Sequence, residues 1–280
     1  MGDIRVVTDS AAQIAPETAA TLGVEVLPLR VHLGDEVYRE GIDIQPSQFL
    51  QKLAASPLVP ALSPPPLEEF VTTYGRLARS SDEIISIHIS RVFCDAAEVA
   101  RQASQEFLGR CRITIIDSMV VSMGQSILVQ KAVEASRAGL AVNEIVRRVR
   151  GMIPRIYAIF YTDTLNYLEQ GGRIGKAQAI LGTMLGIKPI LTLEEGDILP
   201  LEKVRTRAKA LEKLAEFVAE FSKIEQIAVL QSQFSEDTVA LLELLKIILP
   251  DREIPVMAYA PSLAVQLGPS AMGILVFERP

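Results

Sequence analysis

Only two histidines occur in the chain, His32 and His88, and each is flanked by aliphatic residues, Val31-His32-Leu33 and Ile87-His88-Ile89. A lone histidine in such a run reads as a packed or edge residue of a strand. A Ser-His-Asp relay would have to recruit one of them, and the Gly-x-Ser-x-Gly turn that exposes a nucleophilic serine is absent. No His-Glu-x-x-His pair or cysteine cluster marks a metal site. Cys94 and Cys111 stand singly in apolar settings, as reduced structural thiols do. No Gly-x-x-x-x-Gly-Lys-Ser/Thr loop offers a phosphate cradle. The sequence calls for no metal and no cofactor, and it is poor in catalytic equipment.

What remains are polar clusters. Thr8-Asp9-Ser10, Ser90-Arg91 and Asp117-Ser118 each follow an aliphatic run that reads as a strand. Asp and Ser at such places cap helices. Ligands of open α/β sheets also bind outside the carboxyl ends of strands, so three clusters point to a shared polar crevice. In Gly171-Gly172-Arg173 the glycines allow close backbone approach. Arg173 sits at the mouth of the next expected helix and offers a planar fork for a carboxylate; the plainer reading is a helix stop before a solvated arginine. Lys203, Arg205, Arg207 and Lys209 form a basic run at a strand-to-helix junction, with Lys203 and Arg205 on one strand face. It is either a solvated face or a docking patch for an acidic partner.

The elements that must position these groups alternate. Strands are expected over 4–8, 24–31, 83–89 and 113–116, with a turn at Gly34-Asp35 into a hairpin strand at 37–39. Helices are expected from Pro16 to about 22, from Pro46 to before Pro57, from Pro66 to about 78, and over 95–107, 123–137 and 142–150. The Pro- and Ser-rich segment 57–66 reads as a loop. A second set follows: strands over 156–162, 189–193, 198–204 and 227–231, with helices over 164–170, 175–185, 208–221 and 237–248. The segment 254–277 has no charged residue, but Pro255, Pro261 and Pro269 argue against a membrane-spanning helix. It reads as two buried strands, near 256–258 and 274–277, joined by an uncharged turn. The pattern predicts an α/β protein of two domains with mainly parallel sheets, residues 1–150 and 151–280, with the boundary near Gly151.

Composition agrees. The 280 residues are 49% hydrophobic but only 5% aromatic, without tryptophan, and the net charge is −6. Disorder is excluded, and an electrostatic nucleic-acid binder is disfavoured because phosphates demand a basic footprint. The start Met1-Gly2-Asp3-Ile4-Arg5 shows no secretory signal, and two unpaired cysteines fit a cytoplasmic protein.

With these residues laid out, the chain resembles the DegV family of bacterial fatty-acid-binding proteins over nearly its whole length. The resemblance is carried by Val7-Thr8-Asp9-Ser10-Ala11, Leu27-Pro28-Leu29, Glu40-Gly41-Ile42-Asp43, Ile116-Asp117-Ser118 with Ser122-Met123-Gly124, Leu165-x-Tyr167-Leu168-x-x-Gly171-Gly172-Arg173-Ile174, Leu185-Gly186-Ile187-Lys188-Pro189-Ile190 and Lys203-Val204-Arg205. It implies a two-domain α/β protein that buries one long-chain fatty acid, with the carboxylate near the crevice between the domains. It also implies a non-catalytic binding subunit that presents the carboxylate to a separate ATP-dependent fatty acid kinase for lipid synthesis.

By that resemblance Ser63, Ser90 and Arg173 are the polar anchors, and Leu62, Arg91 and Gln266 line the site. Three departures fall there. The family's Thr-Ser-Gln-Pro-Ser loop reads Leu62-Ser63-Pro64-Pro65-Pro66, so a hydroxyl is lost at Leu62. Its Leu-Ser-Gly-Thr turn reads Ile89-Ser90-Arg91-Val92, and its His-Thr-Gly-Pro-Gly reads Gln266-Leu267-Gly268-Pro269-Ser270. Arg91 either pairs with the head group or fills the pocket mouth. Two rival readings remain. One is a hydrolase or transferase on an acyl or phosphorylated substrate, with Asp9 or Asp117 as base and Arg173 as anion clamp. The other is an interaction protein docking through Lys203–Lys209.

Overall fold

Val6, Val7, Thr8 and Asp9 are buried without alternation, as both faces of a parallel strand must be. They belong to the first element of a computed structural model that describes residues 4–170 and 186–279. The elements in order are β1 (Arg5–Asp9), α1 (Pro16–Leu22), β2 (Val24–Leu27), β3 (Arg30–Leu33), β4 (Glu36–Arg39), α2 (Pro46–Ala55), β5 (Pro60–Ser63), α3 (Leu67–Leu77), β6 (Glu83–His88), α4 (Ala96–Ser104), β7 (Arg112–Asp117), α5 (Met123–Arg137) and α6 (Val142–Met152). There follow β8 (Ile156–Tyr161), α7 (Asn166–Gln170), β9 (Lys188–Glu194), β10 (Asp197–Val204), α8 (Arg207–Ala219), β11 (Ile224–Gln231), α9 (Glu236–Ile248), β12 (Val256–Ala258), α10 (Pro261–Leu267) and β13 (Met272–Glu278). The expected helix over 175–185 lies outside the described residues, as do Gly171, Gly172 and Arg173.

The chain forms two compact units. The first comprises Met1–Ile44 and Leu62–Pro154, the second Gln45–Ala61 and Arg155–Pro280. A single boundary near Gly151 leaves out the excursion of Gln45–Ala61, which carries α2 into the second unit, where it packs on α10.

In the first unit a parallel sheet runs β2-β1-β6-β7. Phe70, Tyr74 and Leu77 of α3, with Ala100 and Ala103 of α4, pack on the face that carries Val7 and Ile84. Helix α5 contacts β1 and β6, and α6 packs beside α5. A small three-stranded sheet is ordered β4-β3-β5. The strand expected over 24–31 is two strands, because Pro28 has no N–H and the ladder to β1 ends at Asp9 opposite Leu27. The segment read as a loop, 57–66, contains β5.

The second unit holds a mixed sheet ordered β10-β9-β8-β13-β11-β12, in which only β11 and β12 run parallel. The expectation of parallel pairing holds in the first sheet. In the second, Glu195 and Gly196 both take positive φ, the geometry of a two-residue hairpin, and turn β9 directly into β10. The uncharged segment 254–277 is strand, helix, strand rather than two strands and a turn. All seven residues of α10 are buried, so the helix has no polar solvent face to betray it.

Two glycines give opposite expectations. Gly273 of β13 faces Phe160 of β8, and a Cβ there would meet the Phe160 ring and lie 2.6 Å from the Ile159 carbonyl oxygen. Gly273→Ala should destabilise by about 1–3 kcal/mol in urea unfolding. Gly151 is helical and faces open space, so Gly151→Ala should stabilise by about 0.5–1 kcal/mol.

Candidate functional site

The three polar clusters at the ends of β1, β6 and β7 are brought together, because these strands are neighbours in the sheet. Asp9 anchors them. Its Oδ2 accepts from Ile89 N (2.9 Å) and faces His88 Nδ1 at 3.0 Å. Its Oδ1 accepts from Ala11 N (3.1 Å) and from Gln125 Nε2 (3.0 Å), which also donates to Thr8 Oγ1 (2.9 Å). Pairing of Val7 with Ser86 puts Ser86 and His88 on the face covered by α3. There Ser86 Oγ lies 2.7 Å from His88 Nε2 and 2.8 Å from Tyr74 Oη. With the ring proton on Nδ1, donors run in one direction: Tyr74 to Ser86, Ser86 to Nε2, and Nδ1 to Asp9. Burial pushes the Tyr74 hydroxyl above its ordinary pKa, its bond to Ser86 offsetting only part of this, so it stays a donor. His88 is thus the packed strand residue expected of it.

The order Ser86–His88–Asp9 is that of a hydrolytic relay, but its setting is not. Ser86 lies inside a strand, and Tyr74, Ser86, His88 and Asp9 are all fully buried. A nucleophile needs an exposed, sharply turned backbone. The network instead fixes the strand ends. Ser90 N donates to Val120 O, Ser118 N to His88 O, and Ser122 N to Ala11 O. Among the described residues four non-glycine residues have positive φ, and three of them, Gln13, Met119 and Ser122, lie in these loops. Ser122 donates to Gln13 Oε1 (2.6 Å), and Met119 N donates to Asp117 Oδ1 (2.9 Å). Backbone held off its preferred conformations by such over-determination is common where ligands bind.

Ser90 is fully buried, with its Oγ accepting from Val92 N (3.3 Å). Ser63 and Leu62 close β5 and are half-buried, Ser63 Oγ lying 2.7 Å from His32 Nε2. Arg91 N donates to Asp117 Oδ1 at 3.4 Å, while its exposed guanidinium stays 3.9 Å from that carboxylate, too solvated for a strong pair. Burial also pushes the Cys94 thiol well above its ordinary pKa, leaving it unreactive.

In the second unit Gln266 is buried on α10. The turn after it is locked. Gly268 has φ +79°, a side chain there would strike Tyr167, and Tyr259 Oη donates to Gly268 O (2.7 Å) while accepting from Ala271 N (3.2 Å). Thr162 Oγ1 donates to Leu267 O (3.1 Å). Nearby in sequence, Asp163 binds Lys188 and Arg207, the latter at 2.7 Å. Burial works to raise the Asp163 pKa, but the Lys188 and Arg207 hydrogen bonds outweigh it and hold it low. Of the basic run, Arg207 and Lys209 are engaged by acidic neighbours, Lys209 with Glu212 at 2.7 Å, and Lys203 and Arg205 are exposed.

Sequence reasoning missed Tyr74, Ser86 and Gln125. Ser86 and His88, two apart in a run of isoleucines, were the available signal. Gln125 gave none. Removing the hub should show its weight. Asp9→Ala strands several buried donors and should cost about 3–5 kcal/mol in urea unfolding, whereas Tyr74→Phe removes one neutral hydrogen bond and should cost about 1 kcal/mol.

Comparison with known proteins follows this geometry. The family model described as "Uncharacterised protein, DegV family" matches residues 3–279. A DegV domain-containing protein of Deinococcus radiodurans is 37% identical over 218 residues, 78% of this chain and 77% of its own. Protein DegV of Bacillus subtilis is 31% identical over 280 residues, 97% and 98% of the two chains. Among solved structures, a fatty acid binding DegV family protein from Streptococcus agalactiae matches with TM-score 0.90 at 27% identity, and DegV, a fatty acid binding protein from Bacillus subtilis, with 0.88 at 30%, each over 100% of both chains. With a family model spanning almost every residue, and relatives above 30% identity along most of its length, the chain belongs to the DegV family.

Proposed function

We propose that this protein binds one long-chain fatty acid and presents its carboxylate to a separate acyl kinase. The observation that carries the first half is the full-length match, at 30% identity, to a DegV protein described as fatty acid binding. The local chemistry supports it. A buried carboxylate needs donors or a cation, and Ser90, Ser63 and Arg173 are the groups assigned to it, with Gln266 in place of the family's histidine. Leu62 and Arg91 are assigned to the lining, Arg91 at its solvent side. Each buried methylene contributes about 0.8 kcal/mol, so the acyl chain supplies most of the affinity.

The enzyme reading fares worse on specific residues. Asp9 has its carboxylate oxygens committed to internal donors. Asp117 accepts from Met119 N and Arg91 N, which shape a loop. A general base must also come within reach of a substrate proton, and Asp9 is fully buried. The second half of the proposal, delivery to a kinase, rests on Lys203 and Arg205, two exposed residues on one strand face of the basic run, as the docking contacts.

Native mass spectrometry of the purified protein should find one bound fatty acid. Affinity for a saturated series should fall about fourfold for each methylene removed, the equivalent of about 0.8 kcal/mol. Ser90→Ala and Arg173→Ala should each weaken binding by at least about tenfold, the worth of a hydrogen bond to a charged group. Arg205→Glu should leave that affinity unchanged while lowering acyl phosphate formation by an added bacterial fatty acid kinase. A protein that carries no lipid and shows no thermal shift with palmitate or oleate would defeat the reading.

A further inference from the structure

The first unit carries a basic groove for which lipid binding has no use. It lies beside β7 and encloses about 510 Å³ among Arg112, Thr114, Asn143, Val146, Arg147 and Arg150. β7 is the last strand of its sheet, so one row of its backbone N–H and C=O groups lacks a partner strand among the described residues. Residues 112–115 are exposed or half-buried, whereas residues 84–88 of the neighbouring β6 are buried. On α6, Arg148 is neutralised by Glu144, and Arg112 donates to Asn143 Oδ1 at 2.6 Å. Arg147 and Arg150 are exposed, and no acidic partner stands beside either among the described residues. On a chain of net charge −6 this is a local reversal of sign.

We propose that the groove docks an extended acidic segment of a partner protein, which adds to the free edge of β7 as a further strand. The occupant's pattern follows from the two faces of β7. Ile113 and Ile115 lie on the face packed by α4, and Arg112 and Thr114 on the face toward α6. Side chains of an added strand alternate between those faces. One set therefore meets Arg112, Arg147 and Arg150, and the other extends the apolar surface of Ile113 and Ile115. The matching segment alternates Glu or Asp with Val or Ile. A second copy of β7 is a poor occupant, since its own Arg112 would meet the same arginines. A lone phosphate group would satisfy the guanidinium forks and leave the strand edge unpaired, which favours a peptide.

Fluorescence anisotropy with the full chain tests this, using a labelled peptide of three Val-Glu repeats. Two controls are used: one has the same composition arranged as three valines followed by three glutamates, and the other is the repeat peptide N-methylated at every residue, which removes the N–H row from both edges. The repeat peptide should bind at least about tenfold tighter than both controls, since only it offers charge, alternation and a free edge together. Arg147→Glu with Arg150→Glu should weaken it by at least about tenfold. Arg79→Glu with Lys246→Glu, an equal charge change elsewhere, should alter it by less than about twofold. Unchanged thermal unfolding shows that each variant is folded. Three results overturn the proposal: no binding of the repeat peptide, equal binding of either control, or Arg147- and Arg150-dependent binding of phosphatidylglycerol vesicles in preference to the peptide.

Discussion

Asp9 takes a carboxylate fully out of water, which is tolerable only while donors surround it. Its donors come from distant parts of the chain: Ala11 beyond β1, His88 and Ile89 at the end of β6, and Gln125 within α5. Satisfying that one charge fixes the spacing of two parallel strand ends and the docking of a helix. The loops that leave those ends inherit the constraint. Ser10 Oγ accepts from Leu29 N, and Ser90 N donates to Val120 O. Ser90 therefore stands on backbone whose position is set one residue earlier by the Asp9 bond to Ile89. A hydroxyl held this way is preorganised, and under the proposed function that reduces what binding a carboxylate loses in ordering.

Among its described residues the second unit has no fully buried charged side chain. Tyr259 and Thr162 hold the turn after α10 through neutral hydroxyls, and Gly268 supplies a backbone shape that a side chain would obstruct. Asp163 and Asp237 engage Arg207 in partly exposed pairs. Neutral bonds suit an apolar helix such as α10, because an unmatched charge among its seven buried residues would be far more expensive than an unmatched hydroxyl.

Much of this was legible in the sequence, for physical reasons that also mark where legibility ends. The runs that became β1, β6 and β7 are nearly unbroken in β-branched residues, and Asp9, Ser90 and Asp117 stand where those runs stop. Adjacency of their ends was not legible. The Asp9–His88 contact spans 79 residues and the Asp9–Gln125 contact 116, and only strand order and register bring them together. Helix α10 escaped because burial on all sides erases the amphipathic period. Two strands appeared in place of one because Pro28 ends a ladder whose partner cannot be seen locally. At the site, Ser90 was legible from its place at a strand end, whereas Ser63 was reached through family resemblance, since a lone serine in a Pro-rich segment carries no spacing signal. Tyr74 and Ser86 matter through their partners, and a partner is a property of the fold.

The polar groups of this chain are spent on holding backbone, and that bears on function. Ser86, His88 and Asp9 have the order of a hydrolytic relay, yet each is saturated inside the core. A nucleophile must reach its substrate, and these three groups are fully buried. The network behind Ser90 and the loops held at positive φ in Gln13, Met119 and Ser122 instead fix backbone, although Gln125 Oε1, buried in that network, has no hydrogen-bond partner. The same reasoning separates the two basic features. Arg207 and Lys209 are already matched by carboxylates, as structural charges are. Among the described residues Arg147 and Arg150 have no such match and stand beside an open strand edge, and those two features together carry the proposed docking.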